Sequence, residues 1–182
     1  MKKRILVSQI VTLLLLLAAR PESWRLFLAG LALMTLGQVV RLAASASIVK
    51  SSTLTTSGPY ASVRNPLYLG TLLMTAGLLL MLSAPSRPLL TAGVWLFAIA
   101  SFGAIYYVTI RREEEFLLAA YGSAFKNYVA AVPSLFPSRG VAGFFEPKAY
   151  SREVFRRNKE WRGMSASLAL TVFSALRIKY GF

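Results

Sequence analysis

Thr55-Thr56-Ser57-Gly58-Pro59-Tyr60-Ala61-Ser62-Val63-Arg64-Asn65-Pro66-Leu67-Tyr68-Leu69-Gly70 is the stretch on which the reading of this chain turns. From Gly58 on it holds two prolines, two glycines, two tyrosines and one arginine in thirteen residues. It is neither plainly apolar nor a short turn, and an apolar run begins directly after it. Pro59 fixes its own φ and pushes Gly58 toward extended or glycine-only backbone, so Gly58-Pro59-Tyr60 reads as a turn. Asn65-Pro66 reads as a helix start, with Asn65 the N-cap and Pro66 the first helical residue. A helix N-terminus suits an anion, and Arg64 beside it adds a planar donor fork for the same kind of group. The plainer reading of the same residues is a well-capped membrane span with an interfacial arginine.

Outward from this stretch the chain is strongly apolar. Of its 182 residues 55% are hydrophobic and the mean hydropathy is +0.55, which points to a polytopic membrane protein of one domain over 1–182. Apolar runs at 5–19, 26–48, 67–82, 89–110 and 163–176 predict an all-α integral membrane fold of about five transmembrane helices. The run 89–110 is long enough for the roughly 30 Å bilayer core. The run 163–176 is short and ambiguous between a span and an interfacial helix, with Arg177 and Lys179 placed to snorkel. A basic start and small residues at Ala18 and Ala19 also fit a signal peptide. Arg20-Pro21-Glu22-Ser23-Trp24-Arg25 leading straight into a second apolar run favours a hairpin instead. Gly30, Gly37 and Ala43 are of the kind that lets membrane helices approach closely.

Twenty-one Lys and Arg stand against seven acids, all Glu, for a net charge of +14. Apolar spans separate those charges, which fits anionic headgroups and the positive-inside rule better than nucleic acid. Alternating segments hold 16 basic residues on one side and 5 on the other, so the N-terminus and the loop 50–66 are expected in the cytoplasm. The segment that opens at Arg111-Arg112-Glu113-Glu114-Glu115 falls on the same face. It is expected to begin a separate amphipathic helix, with carboxylates at the positive end of its dipole and Leu117, Leu118, Tyr121, Phe125 and Tyr128 as its stripe. The absence of Cys, His and Asp excludes disulfides, thiolate nucleophiles, His-based zinc sites and Ser-His-Asp triads. Chemistry must then lean on a bound cofactor. One Glu could hold a ribose diol or a cation, and Tyr60 and Tyr68 could stack on adenine or face a sulfonium.

These two segments resemble the motifs of the isoprenylcysteine carboxyl methyltransferases and phospholipid methyltransferases. In that family a Gly-x-Tyr turn precedes Arg-His-Pro-x-Tyr-x-Gly, as Gly58-Pro59-Tyr60 precedes Arg64-Asn65-Pro66-Leu67-Tyr68-Leu69-Gly70 here. Its second motif, a Glu-Glu helix with spaced Leu, Phe-Gly and Tyr positions followed by Val-Pro, is similar to Glu113 through Tyr128 with Val132-Pro133 after it. Arg41 resembles the family's basic position near the end of the preceding span. The resemblance covers roughly residues 35 to 137, with its motif core at 50–137.

The resemblance implies a membrane methyltransferase using S-adenosylmethionine from the cytosol, with a lipophilic acceptor entering from the bilayer. By position Leu54, Thr55, Tyr60, Asn65, Pro66, Leu67, Tyr68 and Glu113 would contact the cofactor, while Arg64, Asn65 and Glu114 would position it. No metal is implied. Asn65 stands where the best-known members have His; it can replace a neutral imidazole as hydrogen-bonding partner but cannot titrate near neutral pH. Two other readings are a nicotinamide-dependent membrane reductase related to sterol reductases, and a non-enzymatic membrane protein that retains the fold.

Overall fold

The structure, a computed structural model, describes residues 2–49 and 53–181, with side chains from residue 6 onward. The Lys2, Lys3, Arg4 and Lys50 side chains used in the charge count lie outside the described residues. Seven α-helices are found among those described: α1 Lys2–Ala18, α2 Trp24–Ser47, α3 Pro59–Ser62, α4 Pro66–Met81, α5 Pro88–Ala131, α6 Arg152–Asn158 and α7 Trp161–Tyr180. Two 3-10 turns, Ala142–Phe145 and Pro147–Ala149, lie between α5 and α6. All five expected apolar segments are helical. Two helices, α2 and α5, are long and apolar enough to cross a membrane by length and composition. In their most apolar stretches only 28% and 17% of residues are buried, so neither is the enclosed core helix of a soluble domain.

The close pair at the centre is α2 with α4, and glycine makes it. A Cβ on Gly30 would sit 2.4 Å from the Gly77 carbonyl oxygen, and one on Gly37 would sit 2.5 Å from that of Gly70. Two contacts, seven residues apart on each helix and in opposite order, make the pair antiparallel with backbones in direct contact. Gly70 ends the quoted stretch, and its missing side chain leaves room for the stem of Arg41.

Around this pair α4 faces two apolar clusters through adjacent residues. Leu79 joins Val11, Leu15, Val94, Ala98 and Phe102, which packs α1 and α5 on one flank. Leu78 joins Phe27, Met34 and Met81 on the other, where Leu170, Ala175 and Ile178 bring in α7. Elsewhere large apolar side chains such as Leu13, Leu28, Leu36, Leu96, Ile99 and Leu168 lie exposed. So many large apolar side chains exposed on four helices call for a non-aqueous partner.

The ends of the bundle are sorted. The turns after α1 and after α4 meet where the Ser86 N–H donates to Glu22 Oε1 at 2.6 Å. The end of α2, the loop with α3 and the start of α4 gather at the opposite end with the tail. The tail wraps this end: Ser151 N donates to Ala46 O at 2.9 Å, and Asn158 Nδ2 donates to the Ser45 and Ile48 carbonyls at 2.8 and 3.1 Å. These bonds satisfy carbonyls left open at the C-terminus of α2.

Three expectations are corrected. No new helix starts at Arg111, because nothing between Ile110 and Arg111 interrupts the backbone hydrogen bonds; α5 covers 44 residues, and its part before Gly122 rises about 51 Å at 1.5 Å per residue. Its break comes at Gly122, with φ 52° and ψ −120°. Glu113, Glu114 and Glu115 are therefore mid-helix and their charge does not serve a helix N-terminus. The last helix has 20 residues rather than 14, a length of about 30 Å. Its N-cap Glu160 lies beside Arg41, and Arg177 in its last turn is buried and donates to the Leu16 carbonyl instead of snorkelling.

Candidate functional site

Gly58 sets the local geometry, at φ 61° and ψ −138°, a region open to glycine and strained for a residue with a Cβ. The chain then turns into α3, and Tyr60 is carried inward to 6% exposure. The tail closes over this turn. Gly58 N donates to Glu146 Oε2 at 3.0 Å, and Gly143 lies so near that a Cβ on it would be 2.2 Å from the Gly58 carbonyl oxygen.

The second half of the stretch is fastened to the end of α5. Arg64 N donates to Pro133 O at 2.9 Å and Asn65 N to Ser134 O at 3.0 Å. Pro133 lacks an N–H, yet its carbonyl serves this pairing, which gives Val132-Pro133 a physical role. The Arg64 guanidinium is committed within the protein. Nε and Nη2 donate to Glu114 Oε1 at 3.2 and 2.8 Å, and Nη1 donates to the Val132 and Val129 carbonyls at 2.7 and 3.2 Å. The expectation of an open fork for an anion is thus corrected: Arg64 braces loop to helix and caps the C-terminus of α5.

Asn65 does occupy the N-cap position with Pro66 first in α4, but its side chain does not cap. Its Nδ2 donates to Ser134 O and Ser134 Oγ, both at 3.1 Å. Asn65 holds the loop to the chain beyond α5. Pro66 is buried, Leu67 and Tyr68 are half-buried, and the Leu67 carbonyl receives the Thr71 hydroxyl at 2.9 Å.

Tyr68 and Glu113 meet directly: the Tyr68 hydroxyl donates to Glu113 Oε1 at 2.8 Å. The Tyr68 ring also packs at 5.5 Å on Tyr106 of α5. Thr55 is turned toward the end of α2, where its Oγ1 accepts from Val49 N at 3.3 Å; Leu54 beside it is half-buried.

The Tyr60 hydroxyl is buried and has no hydrogen-bond partner among the described residues. Its surroundings are polar. Burial raises the phenol pKa above its ordinary 10.0, nearby Tyr128, Glu113 and Tyr68 add to the rise, and the Arg41 guanidinium opposes it. The Tyr60 carbonyl, by contrast, accepts the Tyr128 hydroxyl at 2.6 Å. An unpartnered buried hydroxyl costs about 1–3 kcal/mol, so a ligand that reaches it has something to gain.

Arg41 was singled out in the sequence, but its partners Glu160 and Thr71 were not. Arg41 Nε donates to Glu160 Oε1 at 2.6 Å and Nη1 to Thr71 Oγ1 at 2.5 Å, tying α2, α4 and the start of α7 into one junction. Glu146 and Ser134 were likewise unforeseen. Acids are scarce in the basic stretch 139–162, where only Glu146, Glu153 and Glu160 occur. That scarcity was the available signal, and it named no partners.

The sequence pattern of phospholipid methyltransferases matches residues 24–124, which spans α2 through the Glu113–Glu115 turn of α5. A curated relative, the cobalt-zinc-cadmium resistance protein CzcN of Cupriavidus metallidurans, is 38% identical over 88 residues. That match covers 48% of this chain and 37% of the relative, so the chain spans well under half of the relative's length. No solved structure matches the chain.

Proposed function

The chain belongs to the phospholipid methyltransferase family, and from that premise we propose that it transfers a methyl group from S-adenosylmethionine to a membrane-associated acceptor, a lipid or a lipid-modified carboxylate or amine. Family membership and the two long apolar helices point to a membrane protein. The reading extends this to one membrane-embedded domain over 1–182 with α1, α2, α4, the apolar part of α5 and α7 as five spans. The N-terminus and the site face the cytoplasm. The role printed for the relative is not carried over, since the match covers 37% of that protein.

The observation that carries the reading is the Tyr60 hydroxyl, buried without a partner beneath the turn at Gly58 and near Glu113, Tyr68 and Arg41. The groups there suit the parts of S-adenosylmethionine. Glu113 is an acceptor for a ribose diol, the tyrosine rings offer π faces to adenine or a cation, and Tyr60 supplies a hydroxyl. When bound, the cofactor would supply an electrophilic methyl group on a sulfonium. Asn65, Pro66 and Leu67 shape the wall between loop and α4, with Leu54 and Thr55 assigned to its outer edge. Arg64 and Glu114 hold α5 against the loop, so their contribution is positional. The tail segment at Gly143 and Glu146 keeps water off the turn.

No His, Cys or Asp is present to act as general base. A carboxylate or tertiary amine acceptor needs none, because no proton leaves. A primary or secondary ammonium must lose a proton before or during transfer. Catalysis here rests on alignment and exclusion of water. The test is equilibrium binding of labelled S-adenosylmethionine to the protein in nanodiscs, followed by transfer of label into total membrane extract with lipid and protein products separated. Saturable binding and a labelled product are expected; absence of both would overturn the proposal.

A further inference from the structure

A groove of about 480 Å³ runs between α2 and α7, away from the loop and Glu113. Leu31, Met34 and Gln38 line it from α2, and Trp161, Met164 and Leu168 from α7. Its rim belongs to the apolar surface, with Leu168 64% and Met164 40% exposed. At its inner side the Ser167 hydroxyl has two acceptors, Met164 O at 2.9 Å and Gln38 Oε1 at 3.2 Å, while Gln38 Nε2 is buried with no partner among the described residues. The Ser165 and Thr171 hydroxyls there are committed, donating to Trp161 O at 3.1 Å and to Ser167 O at 2.9 Å.

A buried amide donor without an acceptor selects among occupants. Another transmembrane helix would fill the groove, but its carbonyls are already bonded within the helix. A prenyl chain is all hydrocarbon. An acyl chain has the same apolar body and an oxygen at one end, which is what Gln38 lacks. The volume lies in the range for one small-molecule ligand, so a single chain fits it better than a pair.

The groove also leads somewhere. Arg41 lies three residues beyond Gln38 on the same face of α2, about 4.5 Å further along the axis. It is held by Glu160, the residue before Trp161, and it lies in the surroundings of the Tyr60 hydroxyl. We propose that the α2–α7 groove seats the acyl chain of the methyl acceptor, a membrane lipid, with Gln38 Nε2 donating to the carbonyl or carboxylate oxygen of that chain. Gln38 thereby directs the polar end toward Arg41 and Tyr60. This rests on the methyl-transfer reading above, and it makes Gln38 the residue that selects acyl over prenyl chains.

The test uses the full chain in nanodiscs with a lysophospholipid that carries a diazirine midway along its acyl chain. Photolabel is expected in the segments 26–41 and 163–177, and unlabelled lysophospholipid should displace it at least tenfold better than a farnesyl thioether. Gln38→Leu should bring the two competitors within a few-fold of each other, and Met164→Trp should abolish labelling of the groove by filling it. Label spread evenly over the exposed faces of α1, α2 and α5, or an unchanged preference in Gln38→Leu, overturns the proposal. S-adenosylmethionine binding is measured in the same samples. Its absence in the unaltered protein defeats the methyl-transfer reading alone, whereas its retention with no groove label defeats the acyl-chain assignment alone. Retained cofactor binding in Gln38→Leu shows that the variant is folded.

Discussion

The Tyr68 hydroxyl donates to Glu113 Oε1 at 2.8 Å across 45 residues of sequence. This bond joins the first turn of α4 to the middle of α5. It sets the Glu113 carboxylate beside the Tyr68 ring, so a ligand that uses one meets the other. We expect Glu113→Ala to raise the dissociation constant of S-adenosylmethionine more than tenfold, as for a hydrogen bond to a charged group, and Tyr68→Phe about fivefold, as for an ordinary one. The double variant should lose less than the product of the two. Binding isotherms of the four proteins check this, and strict additivity would show that the pair does not act on one ligand.

Arg64 and Glu114 differ from that pair, because all three guanidinium nitrogens donate inside the protein. Their side chains are only 11% and 22% exposed, so removing one partner leaves a partly buried charge. Glu114→Ala is expected to destabilise the protein by about 1–3 kcal/mol, and Arg64→Lys should not rescue the function of a fork that serves three acceptors. Thermal unfolding without cofactor is the measurement. A Glu114→Ala protein of unchanged stability would mean that Glu114 acts on the ligand instead.

The Gly30–Gly77 and Gly37–Gly70 approaches leave no room for a side chain. The atoms in the way are backbone oxygens, which cannot rotate aside. Gly37→Val should separate α2 from α4 and cost about 1–3 kcal/mol or more, whereas the same change at Gly93, which faces open space, should be tolerated. Comparing the thermal midpoints of the two variants decides the matter.

How much of this was readable beforehand follows from the range of each signal. Helices and their apolar faces come from local periodicity, so α1, α2, α4 and the first half of α5 were legible nearly to the residue. Pro66 marks the start of α4 as read from the sequence, and α5 starts at Pro88, one residue before the expected apolar run. The continuation of α5 through Arg111 was misread because a change from apolar to charged side chains resembles a boundary, although backbone hydrogen bonding ignores it. Gly30 and Gly37 were visible as small residues, but their partners Gly70 and Gly77 were not, since pairing is a three-dimensional fact. The same holds for the site. Tyr68, Glu113, Arg64 and Glu114 were singled out one by one through motif resemblance, but their pairing was not, and Arg41 with Glu160 spans 119 residues and involves a tail with no local cue.

Tyr60 allows stability and binding to be separated. Its hydroxyl is buried without a partner, so in the free protein it is a cost, and Tyr60→Phe should leave stability at neutral pH unchanged or raise it by up to about 1 kcal/mol. The same change removes the atom assigned to the ligand and should weaken S-adenosylmethionine binding about tenfold. The pH dependence follows from the direction of the shift. Burial raises the phenol above its ordinary 10.0, so the folded state favours the neutral form. That preference contributes in full below the unfolded value and is lost as pH rises from about 10 toward the raised folded value. The unaltered protein should therefore unfold more readily above pH 10, and Tyr60→Phe should show a shallower decline, with Tyr128 supplying what remains through its own raised phenol. Thermal midpoints between pH 8 and pH 11 measure the slope. If Tyr60→Phe loses stability at neutral pH while binding cofactor as before, the hydroxyl is a structural group and its assignment to the ligand fails.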